Sequence, residues 1–297
     1  MLDSMVGFSQ IVIIYNPQST GPSRERASEL TRQLDGAVDC NVTQVATEYS
    51  GHAEVLARHY AQHLHRPLLI CVSGDGGYHE VVNGVMSSTG AVGVVTSLYP
   101  AGNANDHYRM LSQESLSANL TNQEVSAIDL LRVEITQGST QLQRFAHSYC
   151  GIGLTSHAGR TLNQHDLNLP KQVGLVLRSL FRAPSAIVQV AGKRKRYDSL
   201  VCANIGGMAK LLSISDASRV DDGVFEVIAF AHRSRLLALP LLLKAATVGI
   251  KEDYQAERLR FQALHDMPIQ LDGEVYDIGA GAHVTITAQP QSLPCII

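Results

Sequence analysis

The amino-acid sequence predicts two domains: an N-terminal α/β domain with a parallel, doubly wound sheet, and a C-terminal antiparallel β-sandwich. Three observations carry this. Between Ile11 and Leu111, strand-length apolar runs alternate with segments of helical period, the pattern of a parallel sheet covered by helices. Polar, glycine-bearing turns at 16–21, 73–77 and 100–106 follow three of those strands, and such sheets bind ligands at the carboxyl ends of their strands. From about residue 126 the texture changes to many short strands with few helices, which suggests a sandwich or open barrel. The first domain is placed at residues 1–126 and the second at 127–297, with the extreme C-terminus free to pack back on the first.

Bulk composition narrows the class. With 297 residues, 45% hydrophobic and 17% charged, the chain has ample sequence for a core and does not read as disordered. A net charge of −3 gives no global basic field, so nucleic acid is not expected as a partner. The five cysteines are odd in number, widely spaced and without zinc-ligand spacing, which suits free thiols in a reducing compartment. The apolar run near the N-terminus has no basic segment before it, so no leader is expected. The longest apolar stretch, Leu236–Ile250, contains Pro240 and Lys244 and is too short to span a bilayer. A cytoplasmic protein, peripheral at a membrane, is the expectation.

The elements follow in order. Ile11–Tyr15 is a β-rich run that ends in the turn cluster Asn16-Pro17-Gln18-Ser19-Thr20-Gly21. A helix begins near Ser23 with Ala27, Leu30 and Leu34 on one face. Val42–Ala46 is strand-like, and His52–Leu64 is helical. Leu68–Ser73 is a buried strand; it meets Gly74-Asp75-Gly76-Gly77, after which a helix runs to about Met86. Val92–Ser97 is a fourth strand, ending in Tyr99-Pro100-Ala101-Gly102-Asn103-Ala104-Asn105-Asp106, with a further helix pattern after it. In the second domain, 128–135, 141–148, 186–191, 199–204, 224–230, 259–262, 269–271 and 283–287 read as strands, with helical insertions near 171–182 and 234–250.

The stretch 71–84, CVSGDGGYHEVVNG, carries the chemistry. A strand that ends in glycines and one carboxylate, directly before a helix, is a place to hold phosphate. Glycines let the backbone approach a ligand, and the helix start offers unpaired N–H groups to an anion. Asp75 can hold a metal or accept a proton. The turn is not a dinucleotide fingerprint, because His79 stands where the third glycine is needed, and no GK[ST] occurs, so it is not a P-loop. A plain strand-to-helix turn is the competing explanation.

The run from Val72 to Gly84 resembles the signature of the diacylglycerol kinase and sphingosine kinase catalytic domain, GGDGT or SGDGL followed by xxEVxNG. The resemblance continues along the chain in matching order. Tyr15–Ser19 resembles the NPxSG turn, and Pro100–Asp106 the PxGTGND turn. Gly151-Ile152-Gly153 resembles the GIG segment, 215–227 the PxAxxxDGxxxV segment, and Leu271–Glu274 the DGE motif. The resemblance implies ATP and magnesium as cofactors, and a lipid hydroxyl at a membrane surface as phosphoryl acceptor, diacylglycerol or a sphingoid-like lipid. It places Asn16, Ser19, Gly74, Gly76, Gly77, Glu80, Gly102, Asn103 and Asn105 around the nucleotide, and Asp75 and Asp106 near the metal. Asp75, Asp272 and Glu274 are the candidate catalytic carboxylates, and the sequence does not choose the base among them. Asp106 equally suits a helix N-cap, Asp272-Gly273 a hairpin turn, and Asp221-Asp222-Gly223 either a turn or a structural metal site. GTP is not distinguished from ATP, and a homodimer is compatible with this pattern.

Departures from the family pattern admit a second function. Gly77 replaces the threonine of GGDGT, Asn103 and Ala104 replace Thr-Gly in the third turn, and Leu154-Thr155-Ser156 replaces Phe-Asp-Ala after GIG. A pseudokinase that binds lipid or nucleotide on the same fold is therefore the alternative, Ala104 being awkward if that position needs positive φ. A kinase of a soluble acceptor, as in the related NAD kinases, fits the DGE and EVVNG segments less well. His59 and His63 have the spacing of zinc ligands but no third partner, and read as surface histidines. The basic, acid-free stretch 171–196 reads as a membrane-surface helix or as a solvated rim.

Overall fold

The computed structural model describes residues 7–89, 93–111, 125–157, 184–208, 212–213, 218–231 and 253–297. The chain forms two compact units, Met1–Ile128 with Ser292–Ile297, and Asp129–Gln291.

Unit 1 alternates strand and helix: β1 (Gln10–Tyr15), α1 (Ser23–Leu34), β2 (Asn41–Ala46), α2 (His52–His63), β3 (Leu68–Ser73), α3 (Asp75–Met86), β4 (Val95–Pro100) and α4 (Asp106–Leu111). The strands are parallel, β1 lying between β2 and β3, and β3 pairing next with β4. The last residues of the chain add one more parallel strand, with Cys295 opposite Thr96 and Ile296 opposite Ser97. The Ser97 hydroxyl donates to the Ile296 carbonyl at 2.8 Å. β3 is buried along its whole length, because helices cover both faces of a parallel sheet. Ile11, Ile13, Leu30, Leu68, Ile70 and Val72 form one core cluster, and each such side chain contributes roughly 1.5–3 kcal/mol when fully buried. β4 begins at Val95 instead of Val92, after Gly93 at φ 69°.

Unit 2 is antiparallel. Its strands are β5 (Ser126–Gln137), β6 (Thr140–Ala146), β7 (Tyr149–Gly153), β8 (Ala186–Val190), β9 (Lys193–Ala203), β10 (Gly207–Met208), β11 (Leu212–Ser213), β12 (Phe225–Ala231), β13 (Tyr254–Ala256), β14 (Arg258–Ala263), β15 (Met267–Leu271), β16 (Glu274–Ile278) and β17 (His283–Ile296). They run in the order β16-β15-β7-β9-β8-β14-β17, with β12 on β9 and β13 on β12. Leu131, Val133, Phe225, Phe261, Ile269 and Val284 are among the residues of the shared core. The tetrabasic run Lys193–Arg196 belongs to β9 and not to a helix; Ala191 at φ 48° and Gly192 at φ 77° make the tight turn from β8. The basic residues expected on a helix at 171–182, the helix expected at 234–250 and the 215–217 part of the PxA segment lie outside the described residues. All five cysteines are free thiols. Among the described residues no helix is long and apolar enough to cross a membrane.

One buried acid makes the stability of unit 2 depend on pH. Glu226 in β12 is 1% exposed, its Oε2 has no partner among the described residues, and Gln255 donates to Oε1 at 3.4 Å. Burial raises its pKa above the ordinary carboxyl value. The folded state therefore holds this proton longer than the unfolded chain. The favourable contribution is present below the unfolded pKa and is lost as pH rises through the folded one. Glu226→Gln, which stays neutral, should melt higher than the parent at pH 8 and lose that advantage near pH 4. A calorimetric pH series checks this, and equal melting points at pH 8 would contradict it.

Candidate functional site

The three polar turns of unit 1 lie at the carboxyl ends of β1, β3 and β4, and the third is tied to each of the other two. The first turn closes on itself: Gln18 N–H donates to Asn16 Oδ1 at 2.9 Å, Ser19 N–H to the Asn16 carbonyl at 3.0 Å, and the Ser23 hydroxyl to the same carbonyl. Ser19 then reaches the third turn, its hydroxyl donating to the Ala101 carbonyl at 2.9 Å. Gly21 packs so closely there that a Cβ would overlap the Ala101 carbonyl. The second and third turns touch without side chains. A Cβ on Gly102 would overlap Gly74 Cα, and one on Gly74 would lie 3.0 Å from Gly102 Cα.

Asp75 locks the second turn to the third. Its Oδ2 accepts the Asp106 N–H at 3.0 Å and its Oδ1 the His107 N–H at 3.1 Å, so its charge sits at the start of α4. A carboxylate at a helix N-terminus is favourable both as acceptor and as charge. This is the geometry of a clamp more than of a free base or a metal ligand. Asp106 opens α4, buried, with Arg109 3.8 Å away. The third turn settles the conformational question raised by Ala104. Positive φ falls on Asn105, at 51°, and not on Ala104; asparagine tolerates that region. Asn105 Oδ1 accepts the Gly102 N–H at 3.0 Å and its Nδ2 donates to the Gly102 carbonyl at 2.9 Å. Asn103 is exposed at the tip.

The N-cap of α3 is Gly74, so α3 has no side-chain cap. The first hydrogen bond of α3 is Tyr78 N–H to the Gly74 carbonyl at 3.1 Å. The N–H groups of Gly76 and Gly77 precede it, partly exposed and without a partner among the described residues. Unpaired amides at a helix start attract an anion.

The signature helix departs from expectation at two positions. Glu80 does not face the turns: its Oε1 accepts the Gly51 N–H at 2.8 Å and its Oε2 the Ala53 N–H at 3.1 Å. It caps α2 from the side, since Gly51 has no side chain to do so. Gly84 serves the same contact, because a Cβ there would overlap the Glu54 carbonyl and meet Ala57 Cβ at 2.8 Å. Gly77 also has a packing role. A Cβ at 77 would overlap the Ser73 hydroxyl and meet Ser73 Cβ at 2.6 Å, so the Ser73 hydroxyl occupies the space that a threonine at 77 would use. Gly77→Thr should therefore cost about 1–3 kcal/mol by overpacking, and Ser73→Gly in the same chain should restore most of it. Urea unfolding of the single and double variants checks this; additive losses would contradict it. Beside the turns, burial, with the charges of Glu80 and Asp75 adding to it, pushes the Cys71 thiol far above its ordinary range, so it is inert.

In unit 2, Asp272-Gly273 is a two-residue hairpin turn between β15 and β16, with φ 49° and 101°. Asp272 is 1% exposed, and its carboxylate points into its own unit. Oδ2 accepts the His147 N–H at 2.9 Å; Oδ1 accepts the N–H groups of Ser148 at 2.9 Å and Tyr149 at 3.0 Å. Buried His147 lies alongside, its Nε2 3.5 Å from Oδ2. With three donors on its two oxygens, Asp272 organises this turn. Glu274 is half-buried on β16, where β15 is its partner. Asp222 Oδ1 accepts the Val224 N–H at 3.2 Å and Asp221 pairs with exposed Arg219 at 3.1 Å, the arrangement of a turn. Among the described residues no group of three acidic, histidine or cysteine side chains is placed to hold a metal.

Asp129 escaped the sequence reading. Fully buried, it accepts the N–H groups of Gly223 and Gln291, each at 2.6 Å. Its signal was present, a carboxylate between Ile128 and Leu130 in an apolar strand.

Residues 10–135 match the family model of the diacylglycerol kinase catalytic domain. The Bacillus subtilis (strain 168) protein named "Putative lipid kinase YtlR" is 32% identical over 142 residues, 46% of this chain and 44% of that protein. The chain thus aligns with under half the length of that relative. Among solved structures, a diacylglycerol kinase from Bacillus anthracis str. Sterne superposes with a TM-score of 0.69 at 15% identity, covering 98% of both chains. Yeast NADH kinase complexed with NADH superposes with a TM-score of 0.53 at 12% identity, covering 98% of this chain and 83% of that one. At these identities the structural likenesses speak to fold.

Proposed function

The chain belongs to the diacylglycerol kinase catalytic-domain family through residues 10–135, and from that membership we propose that it transfers the γ-phosphoryl group of ATP to the hydroxyl of a membrane lipid. The observation that carries the proposal is the joined floor of three turns, with the unpaired Gly76 and Gly77 amides at the start of α3. Phosphoryl transfer asks for positioned phosphates and charge stabilisation more than for covalent chemistry by the protein. The nucleotide supplies the phosphoryl group, and the residues present fit its phosphates: two amides without a partner among the described residues and a helix start. Gly74, Gly102 and Gly21 keep the floor free of side chains. Magnesium would be held chiefly by those phosphates, which suits an ion that keeps several waters and a site without a three-carboxylate cluster among the described residues. Asp75 positions the third turn, and Asn103 is exposed at its tip.

The acceptor is tested directly. The protein is incubated with γ-labelled ATP, magnesium and neutral-detergent micelles carrying diacylglycerol, a sphingoid base or a monoacylglycerol, with GTP and free NAD in parallel. Label in a lipid, absent with Gly102→Ala, is the expected result. Label in NAD alone would move the acceptor to a soluble dinucleotide; no transfer at all despite ATP binding would favour a nucleotide-sensing pseudokinase. Gly102→Ala drives a methyl into Gly74 and should lower kcat/KM about 100-fold, the cost of misplacing the reacting groups by about 1 Å.

A further inference from the structure

We infer that one face of the sheet in unit 2, carrying Arg194, Arg196, Arg258 and Arg260, docks on the surface of an anionic bilayer. The strand register places these residues together. Arg194 pairs with Gln189, and Arg196 with Ile187, across β9 and β8. Gln189 pairs with Gln262 on β14. Arg258, Arg260 and Gln262 alternate along β14 with buried Leu259, Phe261 and Ala263, so all four arginines lie on the face opposite the core. Leu264, 38% exposed, continues this face, and its N–H donates to the Ile187 carbonyl at 3.0 Å.

The four arginines are exposed, and among the described residues none of their side chains makes a hydrogen bond or ion pair. Strands β8, β14 and β17 contain no acidic residue. The nearest acid on β9, Asp198, accepts a hydrogen bond from the Ser185 hydroxyl at 2.8 Å. Strands β9 and β14 flank β8, so the two arginine pairs lie about 10 Å apart across the sheet, a basic patch edged by an exposed leucine. Arginines that lack acidic partners complement a negatively charged surface, and an exposed apolar residue suits the headgroup boundary. The choice of a bilayer over another polyanion rests on the proposed lipid acceptor, which reaches the enzyme only at a membrane.

Alternation on the same hairpin supplies the control. Lys193 and Lys195 are neighbours in sequence, but Lys195 pairs with fully buried Val188 on the opposite face. The full chain is sedimented with vesicles of phosphatidylcholine alone and with phosphatidylglycerol added. Binding should require phosphatidylglycerol and weaken with salt. Each arginine near the surface is worth a factor of about 5. R258Q/R260Q should therefore lose about 25-fold in vesicle affinity, and the quadruple variant with R194Q/R196Q about 600-fold. K193Q/K195Q should lose less than about 5-fold. Should the quadruple variant not fold, the two double variants decide. Equal vesicle binding by parent and arginine variants, or an equal loss in K193Q/K195Q, overturns the proposal; so does tighter binding of a DNA duplex than of vesicles through the same arginines. Activity in neutral micelles separates the two readings. Transfer to lipid there, with vesicle binding unaffected by the arginines, sinks docking alone. Arginine-dependent vesicle binding without transfer sinks the kinase reading alone.

Discussion

Asp75→Ala should lower phosphoryl transfer by about 100-fold and also loosen unit 1. The variant strips the Asp106 and His107 N–H groups of their shared acceptor. Each buried donor left unpaired costs about 1–3 kcal/mol, and the start of α4 drifts from the second turn. A displacement of about 1 Å at a reacting centre costs on the order of 100-fold in rate. A clamp and a base predict different companions to that loss. For a clamp, Asp75→Ala lowers the melting temperature and raises the KM for ATP, and Asp75→Asn, which keeps one acceptor oxygen, retains part of the activity. For a base, alanine and asparagine are equally inactive while stability and nucleotide affinity stay at parent values. The observed hydrogen bonds favour the first pattern.

The second large effect is on stability. Asp272→Ala should destabilise unit 2 by about 3–5 kcal/mol, the usual cost of removing a buried charge from its partners. Three N–H groups, of residues 147, 148 and 149, lose their acceptor at once. Alanine also meets a φ of 49°, which costs an L-residue roughly 1–2 kcal/mol. Against a typical total of about 5–15 kcal/mol for a domain, that loss is large. Asp272→Asn should recover much of it, because asparagine tolerates the left-handed region and keeps an acceptor. Urea unfolding of purified protein gives the values, and an Asp272→Ala variant within 1 kcal/mol of the parent would remove Asp272 from its organising role.

Much of the architecture could be read in residue patterns because it depends on local periodicity. The alternation of buried runs with helical faces in unit 1, and the three glycine-bearing turns at strand ends, are local features that tertiary packing reinforces. The partners of the signature side chains were not legible. Glu80 looks like a ligand residue in the sequence, yet it caps a helix whose start lies 29 residues earlier. Gly77 looks like a lost hydroxyl, and only coordinates show Ser73 filling that space from the neighbouring strand. The doubt over Ala104 turned on which residue of a loop takes positive φ, and Asn105 takes it. Asp272-Gly273 read both as a candidate catalytic position and as a hairpin turn, and it forms the turn, but nothing in the residue order says that three N–H groups from 147–149 converge on its carboxylate. Strands β7, β13 and β16 were passed over because they are short, and in β7 two glycines dilute the apolar signal. Lys193–Arg196 read only as part of a basic cluster, and the tight turn at 191–192 is what carries them into β9.

The central claim is that the uncapped start of α3 receives the phosphates of the nucleotide. Backbone amide spectra of isotopically labelled protein test it most directly, with ATP and magnesium titrated in. The amides of Gly76 and Gly77 should show the largest shifts, saturating at the same nucleotide concentration as lipid phosphorylation, and Gly102→Ala should weaken both together. Nucleotide binding that leaves Gly76 and Gly77 unmoved, or lipid phosphorylation that saturates independently of them, would contradict it.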